Sequence, residues 1–206
     1  MKKNKISKNW IKKNQRDPFF KQSKIQGYRS RSAFKLIEIN NKFKFLKNNT
    51  SVLDLGACPG GWSQVSRKKI SNGKILSVDI KPMKKIEKVE FINGDFCSEF
   101  VQNKIMSYFN SKVDIILSDM ATNTTGSKSL DSFNTGQLCL KAMDLALKIL
   151  AQDGVFLAKV FMGSIFSEIN QKAKNRFKNI VMYKPTSSKK ESKETYIYCK
   201  GILKVR

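Results

Sequence analysis

The segment VLDLGACPGGW, residues 52–62, constrains the fold of this chain more than any other stretch. Its apolar run ends at Asp54 and passes into a turn of small residues, after which a helix can begin. A buried strand that enters a glycine-rich turn and then a helix is the unit with which open α/β sheets form a nucleotide-shaped crevice. Glycines in such a turn let backbone N–H groups approach a ligand. The segment therefore predicts an α/β sheet with a ligand site at its strand ends.

The spacing of the glycines narrows the class of ligand. Gly56 is followed by Ala-Cys-Pro before the next glycine, so the turn lacks the pattern G-x-G-x-x-G, and no G-K-[S/T] follows it. Those two patterns are the ones that cradle pyrophosphate groups. We therefore expect a nucleoside ligand without phosphates, of which S-adenosylmethionine is the common one, and not a nicotinamide dinucleotide.

The charge indicates a polyanionic partner. The chain has 206 residues, enough for one domain with a real core, and a formal net charge of +24 from 40 Lys and Arg against 16 Asp and Glu. The simplest partner for such a surface is nucleic acid. Lys far outnumbers Arg, so the base composition of the genome can also contribute to the excess. The charge supports a nucleic-acid partner without establishing it.

The cysteine and histidine counts exclude several kinds of site. The four cysteines lie far apart with no C-x-x-C pair, and the chain has no histidine. We therefore expect no metal site and no Ser-His-Asp or Cys-His chemistry, so that any general base is Lys, Asp, Glu or Tyr. The thiols read as free and mostly buried, in a reducing compartment. With no secretory signal and no membrane-spanning run recognised, we expect a cytoplasmic protein with no membrane partner.

An alternation of strands and helices begins after residue 50. Strands are predicted at 51–55, 74–80, 89–93, 113–118, 154–160, 179–184 and 195–202. Helices are predicted at 32–40, 62–70, 97–109, 134–151 and 164–177. This order predicts a mostly parallel seven-stranded sheet with helices on both faces, closed by an antiparallel hairpin. That Rossmann-like layout is the usual one of S-adenosylmethionine-dependent methyltransferases.

Residues 1–30 differ in composition from the rest of the chain. They are polar and basic, with Trp10, Phe19, Phe20 and Tyr28 interspersed. Cations interleaved with aromatic rings suit phosphate contact and base stacking. We expect an N-terminal arm at 1–30 that contacts RNA, followed by a single domain at 31–206. The alternative is an arm whose aromatic rings dock on the domain.

Acidic residues follow four successive predicted strands. They are Asp54 after the first, Asp79 at the second, Asp95 with its neighbour Phe96 after the third, and Asp119 after the fourth. Ligands of such sheets bind outside these strand ends, where an acid at Asp79 can accept both hydroxyls of a ribose. The carboxylate of Asp95 or the adjacent backbone is placed to meet an adenine edge. Each acid alone suits a helix cap or a turn, but four at successive strand ends favour a cofactor site.

Three further charged residues stand out. Lys159 lies within the apolar strand FLAKVF, where an unpaired lysine is costly. Lys35 lies between hydrophobic neighbours on a predicted helix, where it can equally be a surface lysine, and Glu194 opens the final strand. Of the three, Lys159 is the strongest candidate for a functional role.

Motifs along nearly the whole chain occur in one order. They are Trp10 with Asp17-Pro18, YRSRSAFKL at 28–36, DLGACPGGWSQ at 54–64, SDMA at 118–121, KVF at 159–161, the pair Ser187-Ser188, and ETYI at 194–197. In these motifs the chain resembles the FtsJ/RrmJ family of ribosomal RNA 2′-O-ribose methyltransferases. It departs from that family at Thr122, where the family has proline.

The resemblance implies a set of site residues. The family carries a Lys-Asp-Lys-Glu tetrad, which falls on Lys35, Asp119, Lys159 and Glu194. Its cofactor residues fall on Gly60, Trp62, Asp79, Asp95 and Asp119, to which we add Asp54, Gly56 and Phe96 as neighbours in the same segments. Arg29 and Arg31 are expected to hold RNA phosphates.

The implied reaction is in-line displacement at a sulfonium methyl group by a ribose 2′-hydroxyl. We expect Lys159 to be the base, which requires it to be neutral part of the time. Burial and the charge of Lys35 favour the neutral form, whereas Asp119 and Glu194 oppose it. The alternative is a charged Lys159 that only stabilises the developing oxyanion, with alignment of the reacting atoms as the main effect.

The expected substrate is a uridine of large-subunit ribosomal RNA on the assembled 50S subunit, modified by a monomeric enzyme. A tRNA ribose is the alternative substrate, because relatives within the family act on anticodon loops. A non-catalytic RNA-binding module is a third hypothesis, and the complete tetrad argues against it. Methylation of an adenine amine or of cytosine C5 fits poorly, since no [N/D]-P-P-[Y/F] turn follows the fourth strand and neither Cys139 nor Cys199 is placed as a nucleophile.

Overall fold

The computed structural model describes residues 17–122, 125–189 and 191–203. The helices in this part of the chain are α1 (Pro18–Ile25), α2 (Ala33–Phe43), α3 (Gly61–Lys69), α4 (Glu99–Phe109), α5 (Lys128–Ile149) and α6 (Phe166–Arg176). The strands are β1 (Val52–Leu55), β2 (Ile75–Asp79), β3 (Glu90–Asn93), β4 (Val113–Ser118), β5 (Leu150–Phe161), β6 (Phe177–Tyr183) and β7 (Glu194–Ile202).

The strands form one sheet of seven in the order β3-β2-β1-β4-β5-β7-β6. Strands β1 to β5 run parallel, β7 is antiparallel to β5, and β6 is antiparallel to β7. The predicted fold class is confirmed, including the closing hairpin. All residues of β1 are buried, which is expected for a central parallel strand covered on both faces.

Helices cover both faces of the sheet, and neighbouring residues of a strand contribute to different cores. On one face, Phe156 of β5 packs in a cluster with side chains of α4, α5 and α6 such as Ile105, Met143 and Ile169. On the other face, Leu157 joins a cluster with Leu36 of α2 and with α3. The period of two along a strand places every second side chain in each layer.

Helix α1 was not among the predicted helices and lies within the arm expected at residues 1–30. Its start has a capping signal, because the carboxylate of Asp17 accepts the N–H groups of Phe19 and Phe20 at 3.0 and 3.2 Å and Pro18 occupies the first turn. The ring of Phe19 lies 5.6 Å from that of Phe34 on α2. The aromatic ring of Phe19 in the arm thus docks on the domain. Trp10 lies outside the described residues, and the division of the chain at residue 30 stays a prediction.

The two boundaries that differ most from the prediction are the starts of α5 and β5. Helix α5 begins at Lys128 and not near 134, because the hydroxyl of Ser127 caps it by accepting the N–H of Leu130 at 3.5 Å. Strand β5 begins directly afterwards at Leu150, which pairs with Val113 before a register shift.

The four cysteines are free as expected, but only two are buried, since Cys58 and Cys97 are partly exposed. No helix in the described ranges is long and apolar enough to span a membrane.

Candidate active site

The carboxyl ends of the parallel strands surround a cleft of about 550 Å³, within the usual range for small-molecule sites. Five of the residues expected to hold a cofactor line it, namely Gly56, Asp79, Asp95, Phe96 and Asp119. The other lining residues are Cys58, Val78, Ile80, Lys81, Gly94, Cys97, Met120, Ala121, Thr122, Leu138 and Lys141. The cleft thus combines three carboxylates with an apolar wall.

Asp79 is held in a fixed orientation at the end of β2. Its Oδ2 accepts the backbone N–H of Cys58 in the glycine loop at 2.8 Å, and its Oδ1 accepts the N–H of Lys81 at 2.8 Å. A carboxylate oxygen accepts more than one hydrogen bond, so both oxygens keep capacity for a ligand hydroxyl. Asp79 therefore ties the loop after β1 to the end of β2 while remaining able to bind a diol.

Asp95 and Phe96 occupy the turn after β3. Asp95 Oδ1 accepts the N–H of Cys97 at 2.9 Å, which fixes the carboxylate as an Asx turn. Phe96 is buried, whereas Ile80 on the opposite segment is 69% exposed although it also lines the cleft. An apolar side chain left open beside hydrogen-bonding groups suits the flat face and polar edge of a heterocyclic base.

Asp54 does not line the cleft. It is fully buried beneath the glycine loop, where its Oδ2 accepts the hydroxyl of Ser63 at 2.6 Å and Ser63 Oγ lies 2.8 Å from Ser77 Oγ. Burial raises the pKa of Asp54 to about 7, and the negative charges of Asp119 and Asp79 add to this. Asp54 thus joins β1, α3 and β2 below the candidate site.

Gly60 and Trp62 also lie outside the cleft lining. Gly60 has a φ of 109°, which an L side chain rarely adopts, at the start of α3. Trp62 is buried, its indole N–H donates to the carbonyl of Ser32 at 2.9 Å, and its ring centroid lies 5.7 Å from that of Tyr196. The carboxylate of Asp54 accepts the backbone N–H of Ser63 in the first turn of α3, and the N–H of Gly60 donates to the carbonyl of Ala57 at 2.7 Å. Of the two residues, it is therefore Trp62 whose backbone N–H can be offered to an anionic ligand group, while Gly60 shapes the turn.

A second cluster adjoins the cleft through Asp119. The ammonium of Lys159 donates to the carbonyl of Asp119 at 2.8 Å and lies 3.1 Å from its Oδ1. The hydroxyl of Tyr196 donates to the same Oδ1 at 2.8 Å. Asp119 is therefore shared by the cleft lining and by a buried group of three polar side chains.

The pair Lys35 and Glu194 completes the cluster. Lys35 Nζ lies 2.6 Å from Glu194 Oε1, and the same oxygen accepts the hydroxyl of Ser188 at 2.8 Å. Both side chains are largely buried, at 12% and 11% exposure. The ammonium of Lys35 also lies 5.8 Å from the ring centroid of Tyr196. All four residues of the predicted tetrad are thus brought together.

The sheet order explains why residues so distant in sequence meet. Lys159 of β5 is directly paired with Tyr196 of β7, and Phe161 with Glu194. Paired residues point to the same face of a sheet, and the period of two places Glu194 on that face with Tyr196. Asp119 directly follows β4, which is parallel to β5 with Ser118 beside Ala158. Helix α2 covers this face and contributes Lys35.

The cluster shifts the ionisation of its members. Burial alone would raise the pKa of Asp119, but the charges of Lys159 and Lys35 and the hydrogen bonds from Tyr196 and Lys159 outweigh it and lower that pKa below its usual value. Burial, together with the charges of Asp119 and Glu194, raises the pKa of Tyr196 well above 10. At neutral pH the cluster therefore contains an ionised Asp119 that accepts from a neutral Tyr196.

Tyr196 is the residue that sequence reasoning missed. It lies within the ETYI motif, but a tyrosine in a strand reads first as packing, and its ring is indeed fully buried. The signal that was available is its spacing of two from Glu194, which places both side chains on one face.

The two arginines expected to hold RNA have intramolecular partners. The guanidinium of Arg29 donates to the carbonyls of Lys84 and Lys85 at 2.6 and 2.8 Å, which ties the start of the domain to the loop before β3. Arg31 pairs with Asp17 and donates to the carbonyl of Ser187. The structure thus gives both a part in holding loops together, and their contact with RNA stays a prediction.

Thr122 is the residue at which the sequence resemblance predicts a departure from the family's proline. It lines the cleft, and its hydroxyl oxygen is buried without a hydrogen-bond partner among the described residues. A buried hydroxyl without a partner is costly, and a polar ligand in the cleft would satisfy it. Together with the acids and the apolar wall, this fits a nucleoside-type ligand. The described part of the chain contains no group of His, Cys, Asp and Glu suited to a metal.

Known proteins resemble this chain in sequence and in fold. The sequence pattern of the FtsJ-like methyltransferases matches residues 28–202. The chain belongs to the FtsJ-like methyltransferase family. The expected family and the expectation of an enzyme are thereby confirmed.

This FtsJ-like methyltransferase is 50% identical to the ribosomal RNA large subunit methyltransferase E of Pelagibacter ubique (strain HTCC1062). The match extends over 200 residues, which are 97% of this chain and 98% of the relative. A crystal structure of a ribosomal RNA methyltransferase from Plasmodium falciparum superposes with a TM-score of 0.78 at 34% identity, over 85% of this chain and 99% of that one. Human methyltransferase-like protein 13 in complex with SAH shares the fold, with a TM-score of 0.56 at 14% identity over 82% and 78% of the two chains.

Proposed function

We propose that this methyltransferase transfers a methyl group from S-adenosyl-L-methionine to the 2′-hydroxyl of a uridine ribose in large-subunit ribosomal RNA, on the assembled 50S subunit. The observation that carries the proposal is that Asp119 belongs both to the lining of the cleft and to the cluster that holds Lys159. A cofactor in the cleft and a hydroxyl beside Lys159 would be neighbours across this one carboxylate.

The residues present suit the cofactor. Asp79 would accept the ribose hydroxyls, while Asp95 and Phe96 would meet the adenine. Gly56 and Asp119 would line the remainder, and the backbone N–H of Trp62, placed by the turn at Gly60, would donate to the carboxylate. Asp54 would support the loop from below through Ser63. When bound, S-adenosylmethionine supplies an electrophilic methyl group.

Lys159 is the residue proposed to act on the ribose hydroxyl. As a neutral amine it would accept the hydroxyl proton, and as an ammonium it would donate a hydrogen bond to the developing oxyanion. The carbonyl and the carboxylate of Asp119 lie 2.8 and 3.1 Å from the side-chain nitrogen of Lys159, which fixes its position in either role.

The other tetrad members would orient these groups. Asp119 holds the ammonium of Lys159 from two sides, and Glu194 holds that of Lys35. Such fixed donors cost no reorganisation when charge develops on the reacting oxygen. A preset alignment of the hydroxyl also removes part of the entropic barrier.

The RNA substrate rests on the relatives and on charge. The Pelagibacter and Plasmodium proteins are both called ribosomal RNA methyltransferases. The net charge of +24 suits the phosphate backbone. The two rival hypotheses, transfer to tRNA and an RNA-binding module without catalysis, predict different outcomes in one assay.

The test is transfer of tritiated methyl groups from S-adenosylmethionine to purified 50S subunits, free large-subunit RNA and tRNA. We expect label in the 50S subunits above the other two substrates. Label in tRNA alone would contradict the ribosomal substrate. No binding of S-adenosylmethionine by calorimetry would favour the non-catalytic module.

A further inference from the structure

Glu38 on α2 makes an unusual set of contacts that the proposed reaction does not use. Its Oε1 accepts the hydroxyl of Tyr183 at 2.8 Å and the N–H of Thr186 at 2.6 Å. Its Oε2 accepts the hydroxyl of Thr186 at 3.0 Å and both the N–H and the hydroxyl of Ser187, at 3.1 and 3.2 Å. Burial opposes ionisation, but these hydrogen bonds outweigh it and lower the pKa of Glu38.

The segment that Glu38 holds leads directly to the tetrad. Ser188 is the next residue, its N–H closes a turn on the carbonyl of Pro185 at 3.0 Å, and its hydroxyl donates to Glu194 Oε1 at 2.8 Å. That oxygen is the one paired with Lys35 at 2.6 Å. A continuous chain of hydrogen bonds and three consecutive residues, 186–188, thus connects Glu38 to the ion pair.

Helix α2 carries both ends of this chain. Lys35 and Glu38 are three residues apart, a spacing that places them on one face of a helix. Lys35 reaches Glu194, the first residue of β7, and Glu38 reaches Thr186 and Ser187, shortly after β6 ends. Residues 184–189 of the β6–β7 connection lie outside helices and strands, so contacts such as those of Glu38 fix their position relative to α2.

We propose that Glu38 is a positioning residue: it fixes segment 186–188 against α2 so that the hydroxyl of Ser188 and the ammonium of Lys35 hold Glu194 in one orientation. This inference rests on the proposed function, because the ion pair matters for catalysis only if the tetrad performs methyl transfer. Its effect is on the placement of Lys35 and Glu194 and not on the cofactor cleft, which Glu38 does not line.

Glu38→Gln is the sharpest test. A glutamine keeps one acceptor oxygen, but in either orientation its NH2 group would face a backbone N–H, that of Thr186 or that of Ser187, which can only donate. Because a misplacement of about 1 Å can lower a rate by about 10²-fold, we expect kcat to fall about 10- to 100-fold with KM for S-adenosylmethionine unchanged. Ser188→Ala should lower kcat in the same direction, and the double variant should be no slower than Glu38→Gln alone, since both act through one contact.

Asn40→Ala is the matched control. Asn40 lies on the same helix and is buried, but its Oδ1 accepts the N–H of Leu46 at 2.9 Å, away from segment 186–188. This variant should lose stability while keeping kcat at temperatures where it is folded. Three results would each overturn the inference. The first is an equal loss of kcat in both variants when each is assayed equally far below its Tm, and the second is a wild-type kcat in Glu38→Gln. The third is a double variant of Glu38→Gln and Ser188→Ala whose loss of kcat equals the product of the two single losses.

Hydrogen exchange measured by mass spectrometry gives a readout that does not need activity. Glu38→Gln should speed exchange across 186–188, whereas Asn40→Ala should leave this segment as in the wild type. Unchanged exchange there in Glu38→Gln would overturn the inference. A wild-type protein that methylates no RNA would contradict the proposed function alone, and the exchange result would still decide whether Glu38 holds the segment.

Discussion

Lys159 of β5 and Tyr196 of β7 are paired across the sheet, and both donate a hydrogen bond to Asp119 at 2.8 Å. The pairing is antiparallel, and it exists because β7, and not β6, lies next to β5 in the sheet. The carboxylate they share also lines the cleft. The topology thus sets the position of the candidate catalytic group relative to the candidate cofactor site.

Tyr196→Phe should weaken the hydrogen bonding to Asp119 without removing it completely. The change removes the hydroxyl that donates to Asp119, while Lys159 remains 3.1 Å from the same oxygen. A hydrogen bond to a charged group contributes about 1.5–3 kcal/mol, so we expect the free energy of unfolding to fall by about that amount and kcat to fall with it. Urea denaturation and steady-state kinetics measure the two effects.

Tyr198→Phe is the control for that variant. Tyr198 lies on the same face of β7, and its ring stacks on Phe43 with centroids 4.2 Å apart. It should keep kcat near the wild-type value. A loss of kcat equal to that of Tyr196→Phe would assign the effect to general packing and not to Asp119.

Lys159→Arg separates the two roles open to Lys159. Arginine keeps the charge but does not release its proton in proteins, so it can stabilise an oxyanion but cannot act as a base. If Lys159 is the base, kcat should fall by about 10²- to 10⁴-fold and the ionisation that limits the rate should vanish from the pH–rate profile. Full activity in Lys159→Arg would sink the base role and leave the ammonium as a stabiliser.

Asp79→Asn tests the cofactor assignment. The amide replaces one of the two acceptor oxygens that hold the backbone at Cys58 and Lys81, and it weakens any bond to ribose hydroxyls. We expect the affinity for S-adenosylmethionine, measured by calorimetry, to fall about tenfold or more, since hydrogen bonds to charged groups contribute about 1.5–3 kcal/mol. Asp153→Asn, which alters an exposed acid 3.3 Å from Lys178, should bind like the wild type. Equal affinities of the wild type, Asp79→Asn and Asp153→Asn would show that Asp79 does not bind the cofactor.

Asp54 predicts an unusual pH dependence. Its folded-state pKa of about 7 lies above the unfolded value of 3.8, so its contribution to stability is fully present below pH 3.8 and is lost as the pH rises through 7. Because Asp54→Asn cannot ionise, the Tm difference between pH 5 and pH 8 should be smaller in this variant than in the wild type without cofactor. An unchanged difference would show that Asp54 does not titrate in this range.

Much of the fold could be read from the sequence because a parallel sheet requires buried apolar strands separated by helices. The predicted strand 113–118 coincides with β4, and the closing hairpin followed from the absence of a helix between the last two strands. Helix α1 was missed because its apolar periodicity is weak, although Asp17-Pro18 is a capping signal. The early start of α5 depends on one cap, Ser127, which periodicity does not reveal.

The site was predictable where residues occupy strand ends and less so where contacts cross the sheet. Asp79, Asp95 and Asp119 follow strands whose ends must lie at one edge, so their convergence follows from the fold. The contacts of Arg29 with backbone carbonyls, and those of Glu38 with segment 186–188, join parts of the chain far apart in sequence. No local pattern encodes such partners, and a charged residue outside a strand then reads as solvated.

The central claim is that the methyl group is delivered to a ribose oxygen, and nucleoside analysis tests it most directly. RNA from 50S subunits methylated in vitro would be digested to nucleosides and analysed by mass spectrometry, with Asp119→Asn protein as the blank. We predict a methyl group on the ribose of uridine that the variant fails to add. A methyl group on a base, or an equal yield from the variant, would contradict the account.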